Sequence, residues 1–199
     1  QHIADGLRFN LEAEGYEAKI VNDGDAALSA LTDSTFDAVV LDVMLPATDG
    51  FEVASTMRAR EDYTPILMLT ARGRPEDVLF GFEAGADDFI IKPVDRGQLL
   101  ARVRTLLKQK AYTDELERAE AVLFALARSI EGKDPYTEGH CERLADYSSR
   151  LGRFLGLSPP EVVALRRGGI VHDIGKVAVP DSILLKPGPL TSDEQKVMR

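Results

Sequence analysis

Two sets of residues in this chain have the types and spacing to do chemistry. In "IVHDIGKVAVP" (170–180), His172 and Asp173 stand side by side, with Lys176 close behind. An imidazole and a carboxylate set among apolar neighbours need partners, and a divalent cation satisfies both. Neighbouring residues on a helix project about 100° apart, so the pair can reach around one ion or bridge two. His140, on the preceding segment, offers a third ligand from a separate element. Lys176 can hold a phosphate oxygen as a point charge. Mixed imidazole and carboxylate ligands admit Fe, Mn or Zn. The plainer alternative is a His bonded to a helix-capping Asp, and the dipeptide taken alone favours it. The second set lies earlier. Asp42 closes the apolar run Val39-Val40-Leu41, Thr70 closes "PILMLT", and Lys92 follows "DDFII". A carboxylate can act as a nucleophile toward phosphorus. A hydroxyl and an ammonium can then hold the oxygens of the phosphoryl group.

These side chains are useful only if the chain brings them together. Residues 17–21, 37–44, 65–70 and 87–93 read as strands, with the two-sided apolar character of a parallel sheet covered on both faces. Residues 24–33, 50–59, 75–84 and 95–108 read as helices between and after them. Strict alternation predicts an α/β fold with a doubly wound parallel sheet. In such sheets ligands bind outside the carboxyl ends of the strands, where Asp42, Thr70 and Lys92 fall.

The pattern changes near residue 110. Residues 111–131 form a connector in which Leu116, Ala119, Leu123, Leu126 and Ile130 recur at alternating spacings of three and four. That is the period of a coiled-coil seam. A homodimer contact and a helix packed on its own domain fit this stripe equally. Beyond it the chain reads as all-helical. One helix carries His140, Leu144, Tyr147, Leu151, Phe154 and Leu155. The next opens at "SPPE" with Ser158 as cap, Pro159 at the first position and Glu161 completing a capping box. It is expected to run through "VVALRRGGIVHD" and to stop near Gly175, which places His172 and Asp173 in its last turn.

Composition narrows the classes. The 199 residues are 44% hydrophobic and 29% charged, in the range of ordinary globular proteins. No apolar run approaches the roughly 20 residues that span a bilayer, so no membrane partner is expected. A single cysteine, Cys141, excludes an internal disulfide framework and fits a reducing, cytoplasmic compartment. The net charge of -9 argues against direct DNA binding.

The strings "LDVMLPATDG", "LMLTA" and "DDFIIKP" resemble the motifs of response-regulator receiver domains, over nearly all of 1–108. The resemblance implies a flavodoxin-like fold in which Asp42 is phosphorylated by a sensor histidine kinase. It implies that Thr70 and Lys92 contact the phosphoryl group, and that Asp42 and the Met44 carbonyl help hold Mg²⁺. It places Phe89 at the switch-aromatic position and makes the Lys92–Pro93 bond cis. Receivers open with a strand ending in an acidic Mg²⁺-binding pair, whereas "QHIADGLRFNLEAEGYE" reads directly as the first helix. In the strand order 2-1-3-4-5 that strand lies between the second and the third. The expectation is that N-terminal residues are lacking, leaving the strands at 17–21 and 37–44 without a shared partner.

"DPYTEGHCERLADYS" and "IVHDIGKVAVPDSILLKPGPLT" resemble the HD-GYP subfamily of HD phosphohydrolases, over 125–199. That resemblance makes His140, His172 and Asp173 metal ligands and Lys176 a contact to the scissile phosphate. It implies cyclic di-GMP as substrate and a dinuclear Fe or Mn site. Some members add a third metal through a Glu four residues before the first His. Tyr136 holds that position here and Glu138 has the wrong spacing, so two metals are expected. The family's later His ligands and Gly-Tyr-Pro loop are not in the sequence, so these 199 residues alone are expected to be inactive. Two functions fit: a phosphorylation-regulated cyclic di-GMP phosphodiesterase, or a non-enzymatic adaptor with a degenerate HD region that binds partner proteins.

Overall fold

Apolar runs covered on both faces need strand neighbours, and three of the four expected strands find them. In a computed structural model describing residues 2–71, 75–132 and 139–198, β1 (Val39–Asp42), β2 (Ile66–Thr70) and β3 (Asp88–Ile91) form a parallel sheet in the order β1-β2-β3. All five residues of the central strand β2 are buried. Side chains alternate across a strand, and β2 accordingly feeds two cores. Ile66 and Met68 join Leu41, Val53, Met57 and Phe89. Leu67 and Leu69 join Ile90, Leu99, Val103 and Leu106, with Leu7 and Leu11 against them. The covering helices are α1 (His2–Glu12), α2 (Gly24–Asp33), α3 (Gly50–Ala59), α4 (Pro75–Glu83) and α5, which runs unbroken from Arg96 to Glu131. Asp23 and Asp49 cap α2 and α3, accepting from the N–H groups of Ala26 and Glu52.

The strand expected at 17–21 is not formed. Residues 16–21 carry no ladder. A strand requires a hydrogen-bonded neighbour. β1 pairs with β2 alone among the described strands. Ile20 and Val21 instead share a cavity of about 640 Å³ with Leu7, Leu11, Val40 and Leu41.

The chain divides into two compact units, Gln1–Asp114 and Glu115–Arg199. In the second, α6 (His140–Phe154) packs on α7 (Pro159–Val171). Small residues make this approach close. Cys141, Ala145, Ser149 and Gly152 form the buried face of α6. A Cβ on Gly169 would lie 2.8 Å from the Ala145 Cα. The larger Tyr147, Leu151 and Phe154 are exposed. Glu161 reaches back to the N–H and hydroxyl of Ser158, which starts α7 as the sequence reading expects. The helix stops earlier than expected. It ends at Val171, and a 3₁₀ turn follows over Ile174–Ala178, then α8 (Asp181–Leu184) and α9 (Ser192–Met198). His172 and Asp173 therefore sit between two helical segments rather than in a last turn. At this end the His172 ring takes the Gly169 carbonyl, 2.8 Å away, one of the acceptors left near a helix terminus.

The connector stripe splits. Ile130 is buried with Ala127, which packs with Phe124 on Ala145 and Ile170. Leu116, Leu123 and Leu126 remain 72%, 48% and 51% exposed. No helix among the described residues is long and apolar enough to cross a membrane.

Candidate functional site

His140 opens α6, and His172 and Asp173 follow α7, so the close α6–α7 packing decides where these side chains meet. One potential ligand atom from each of the three lies within 4.8 Å of the others. The two imidazole rings stand 5.3 Å apart, edge to face. Because a carbonyl only accepts, the His172 Nδ1 must donate to Gly169, so in the neutral ring Nε2 carries the free lone pair. That Nε2 lies 3.3 Å from Asp173 Oδ2. Lys176 Nζ donates to the same carboxylate oxygen at 2.7 Å. Burial raises the Asp173 carboxyl, but the Lys176 hydrogen bond and the His172 charge outweigh it, and its pKa falls below the ordinary value. Two imidazoles and an ionised carboxylate on two elements suit a divalent cation of the Fe, Mn or Zn type. The Cys141 thiol beside His140 is pushed up, first by burial and then by Glu131, so it stays protonated. Tyr136 and Glu138 lie outside the described residues.

The other set assembles on the sheet. Asp42 ends β1 and Thr70 ends β2, while Lys92 follows β3. All three occupy the carboxyl-end edge that parallel sheets use for ligands. Lys92 Nζ pairs with Asp42 Oδ2 at 2.5 Å. Thr70 is buried, and its carbonyl accepts from the Lys92 N–H. The Met44 N–H donates to Asp42 Oδ1 at 3.0 Å, so the backbone after β1 is within reach of the carboxylate. The Met44 side chain is exposed. Phe89 is buried against the edge of Phe82, at 4.8 Å between ring centroids. The Lys92–Pro93 bond is cis.

Sequence reasoning missed two features of this architecture. The small-residue face of α6 carries no hydrophobic signal, although Cys141, Ala145, Ser149 and Gly152 recur at spacings of four, four and three. Glu131 was read only as the end of a connector, yet its carboxylate binds the backbone N–H of Cys141.

Comparison with known proteins agrees with both halves. The response regulator receiver domain family matches residues 1–104, and the HD domain family matches 137–198. Both families generally bind divalent metals. A probable cyclic di-GMP phosphodiesterase of Vibrio cholerae is 36% identical over 94% of this chain and 49% of its own length. The cyclic di-GMP phosphodiesterase response regulator RpfG of Xanthomonas campestris is 35% identical over 97% of this chain and 57% of its own. The chain thus spans about half the length of these curated relatives. Among solved structures, the Francisella response regulator 1452 receiver domain superposes with a TM-score of 0.53 at 30% identity, covering 54% of this chain and 89% of that one. A CheY-like receiver domain protein from Methanospirillum hungatei gives 0.54 at 28% identity, covering 56% and 90%. These flavodoxin-like neighbours carry the sheet just described, and the helical second unit fits an HD domain. The chain belongs to the response regulators, with a receiver domain joined to an HD domain.

Proposed function

We propose that this chain is the regulatory and metal-binding part of a cyclic di-GMP phosphodiesterase controlled by phosphorylation of Asp42. The observation that carries the reading is the convergence of His140, His172 and Asp173 within 4.8 Å, with Lys176 on the same carboxylate. The relatives named as cyclic di-GMP phosphodiesterases supply the substrate class. In this reading His140, His172 and Asp173 hold two divalent ions, Fe or Mn. When bound, such ions supply Lewis acidity toward a phosphodiester. His172, fixed by Gly169, presents one nitrogen, and Lys176 turns to a phosphate oxygen once Asp173 is engaged elsewhere. At the other end Asp42 accepts a phosphoryl group from a sensor histidine kinase, with Mg²⁺ held beside Asp42 and the Met44 carbonyl. Lys92 and Thr70 hold the phosphoryl oxygens, and Phe89 responds as the switch aromatic. The HD portion is taken as 125–199 and the receiver as 1–110. The exposed Leu116, Leu123 and Leu126 offer a second copy a contact along α5.

The experiment uses the full-length gene product. His172→Ala and Asp173→Ala are expected to lose metal, measured by elemental analysis, and cyclic di-GMP hydrolysis together. Asp42→Asn is expected to keep the metal and to take no mass increment from a small phosphodonor. Full hydrolysis in Asp173→Ala would overturn the metal-centre reading. Bound metal with no hydrolysis in the unmutated protein would favour the adaptor.

A further inference from the structure

The start of α6 has an unusual support. Helix N-termini leave backbone N–H groups without intrahelical partners, and a side chain at the cap position commonly takes one. The cap position of α6 is Gly139, in the left-handed region at φ 68°, with no side chain to offer. The acceptor comes from another helix. Glu131, the last residue of α5, receives the Cys141 N–H on its Oε1 at 2.9 Å. Its negative charge also suits the positive end of the α6 dipole. Cys141 is the residue after His140, and it is buried, so this turn has little freedom to move by itself.

The same stretch of α5 braces the other ligand arm. Ala127 and Phe124, one and two turns before Glu131, pack on Ala145 of α6 and on Ile170 and Val171, directly ahead of His172. Arg128 adds an ion pair to Glu142 at 3.3 Å. The final turns of α5 thus touch both elements that carry metal ligands. A well-formed metal site has ligand distances within about 0.2 Å of the ideal values. A shift of α5 far smaller than its own rise of about 1.5 Å per residue would therefore register at His140.

We infer that Glu131 is a positioning residue for the HD metal site, fixing His140 through the first turn of α6 and tying it to the movement of α5. The inference rests on the metal-centre reading above. Glu131 touches neither metal nor substrate in this account. It acts through the backbone that carries a ligand, and it makes α5 part of the site's frame rather than a tether.

The test compares Glu131→Ala, Glu131→Gln and His172→Ala in the full-length protein. Gln keeps an acceptor oxygen, whereas Ala removes it. Mn²⁺ affinity is read by calorimetric titration of metal-stripped protein, alongside thermal melting. Glu131→Ala is expected to weaken Mn²⁺ binding by about five- to tenfold, the scale of a lost cap or of a disturbed outer-shell partner. Glu131→Gln is expected to stay within about twofold of the unmutated protein. The ratio of hydrolysis with and without phosphodonor is expected to fall toward one in Glu131→Ala and to persist in Glu131→Gln. Unchanged Mn²⁺ affinity in Glu131→Ala, with binding lost in His172→Ala, overturns the role of Glu131 alone. Retained binding in His172→Ala overturns the metal-centre reading beneath it. If Glu131→Ala and Glu131→Gln lose metal and melting temperature equally, the residue is a fold determinant and the inference fails.

Discussion

At the scale of single residues, the Asp173 carboxylate has two suitors. Lys176 Nζ holds its Oδ2 at 2.7 Å, and a divalent ion would compete for that oxygen. Removing the ammonium cannot take away a ligand, and it frees one. Lys176→Met is therefore expected to bind Mn²⁺ at least as tightly as the unmutated protein while hydrolysing cyclic di-GMP at least tenfold more slowly. Calorimetry and a nucleotide assay on the same preparation separate the two effects. Weaker metal binding in Lys176→Met would mean that the lysine holds Asp173 in its ligating geometry instead of serving the substrate. Asp42 and Lys92 form a comparable ion pair on the sheet edge. Residues of this kind were legible in the sequence because their side-chain types already limit their chemistry. Glu131 was not, because its role depends on a backbone N–H ten positions away, and nothing in its type or spacing announces that.

Elements position those residues by how closely they approach. α6 and α7 meet through Ala145 and Gly169, and no side chain can be added there without moving backbone. Overpacking of a tight contact costs on the order of 1–3 kcal/mol. Gly169→Ala is expected to lower the stability of the second unit by that amount. It should also weaken metal binding by about tenfold or more, because it pushes His140 on α6 away from His172 beyond α7. Denaturant melts give the first effect and Mn²⁺ titration the second. A destabilised protein with native metal affinity would show that the two ligand arms reseat independently of the helix contact. The elements themselves were largely readable: β1, β2 and β3 fall inside their expected spans, and Ser158 and Glu161 mark the start of α7. Two readings failed for physical reasons. Residues 17–21 have strand-like composition, but a strand exists only with a neighbour. The sequence runs α7 through Asp173 and stops it near Gly175, whereas the helix ends at Val171, where the His172 ring takes the Gly169 carbonyl.

For the whole molecule the question is how, under the proposed function, a phosphoryl group on Asp42 would alter the metal site proposed for the other unit. The unbroken α5 that joins the two units offers one route for that signal. α5 is 36 residues long, about 54 Å at 1.5 Å per residue, and contains no Gly or Pro between Gly97 and Gly132. Its first half supplies Leu99, Val103 and Leu106 to the receiver core. Its last turns supply Ala127, Ile130 and Glu131 to the second unit. A continuous helix passes on a rotation or a shift, whereas a flexible Gly-Ser linker behaves as a random coil and absorbs it. Inserting such a segment after Lys110 in the full-length protein separates these possibilities without touching either site. Phosphodonor labelling of Asp42 and basal cyclic di-GMP hydrolysis are expected to persist, because each unit keeps its own core. The ratio of hydrolysis with and without phosphodonor is expected to collapse toward one, because the Glu131 end of α5 no longer feels its Arg96 end. A ratio that survives the insertion at full size would mean that the signal crosses by a route other than the continuity of α5.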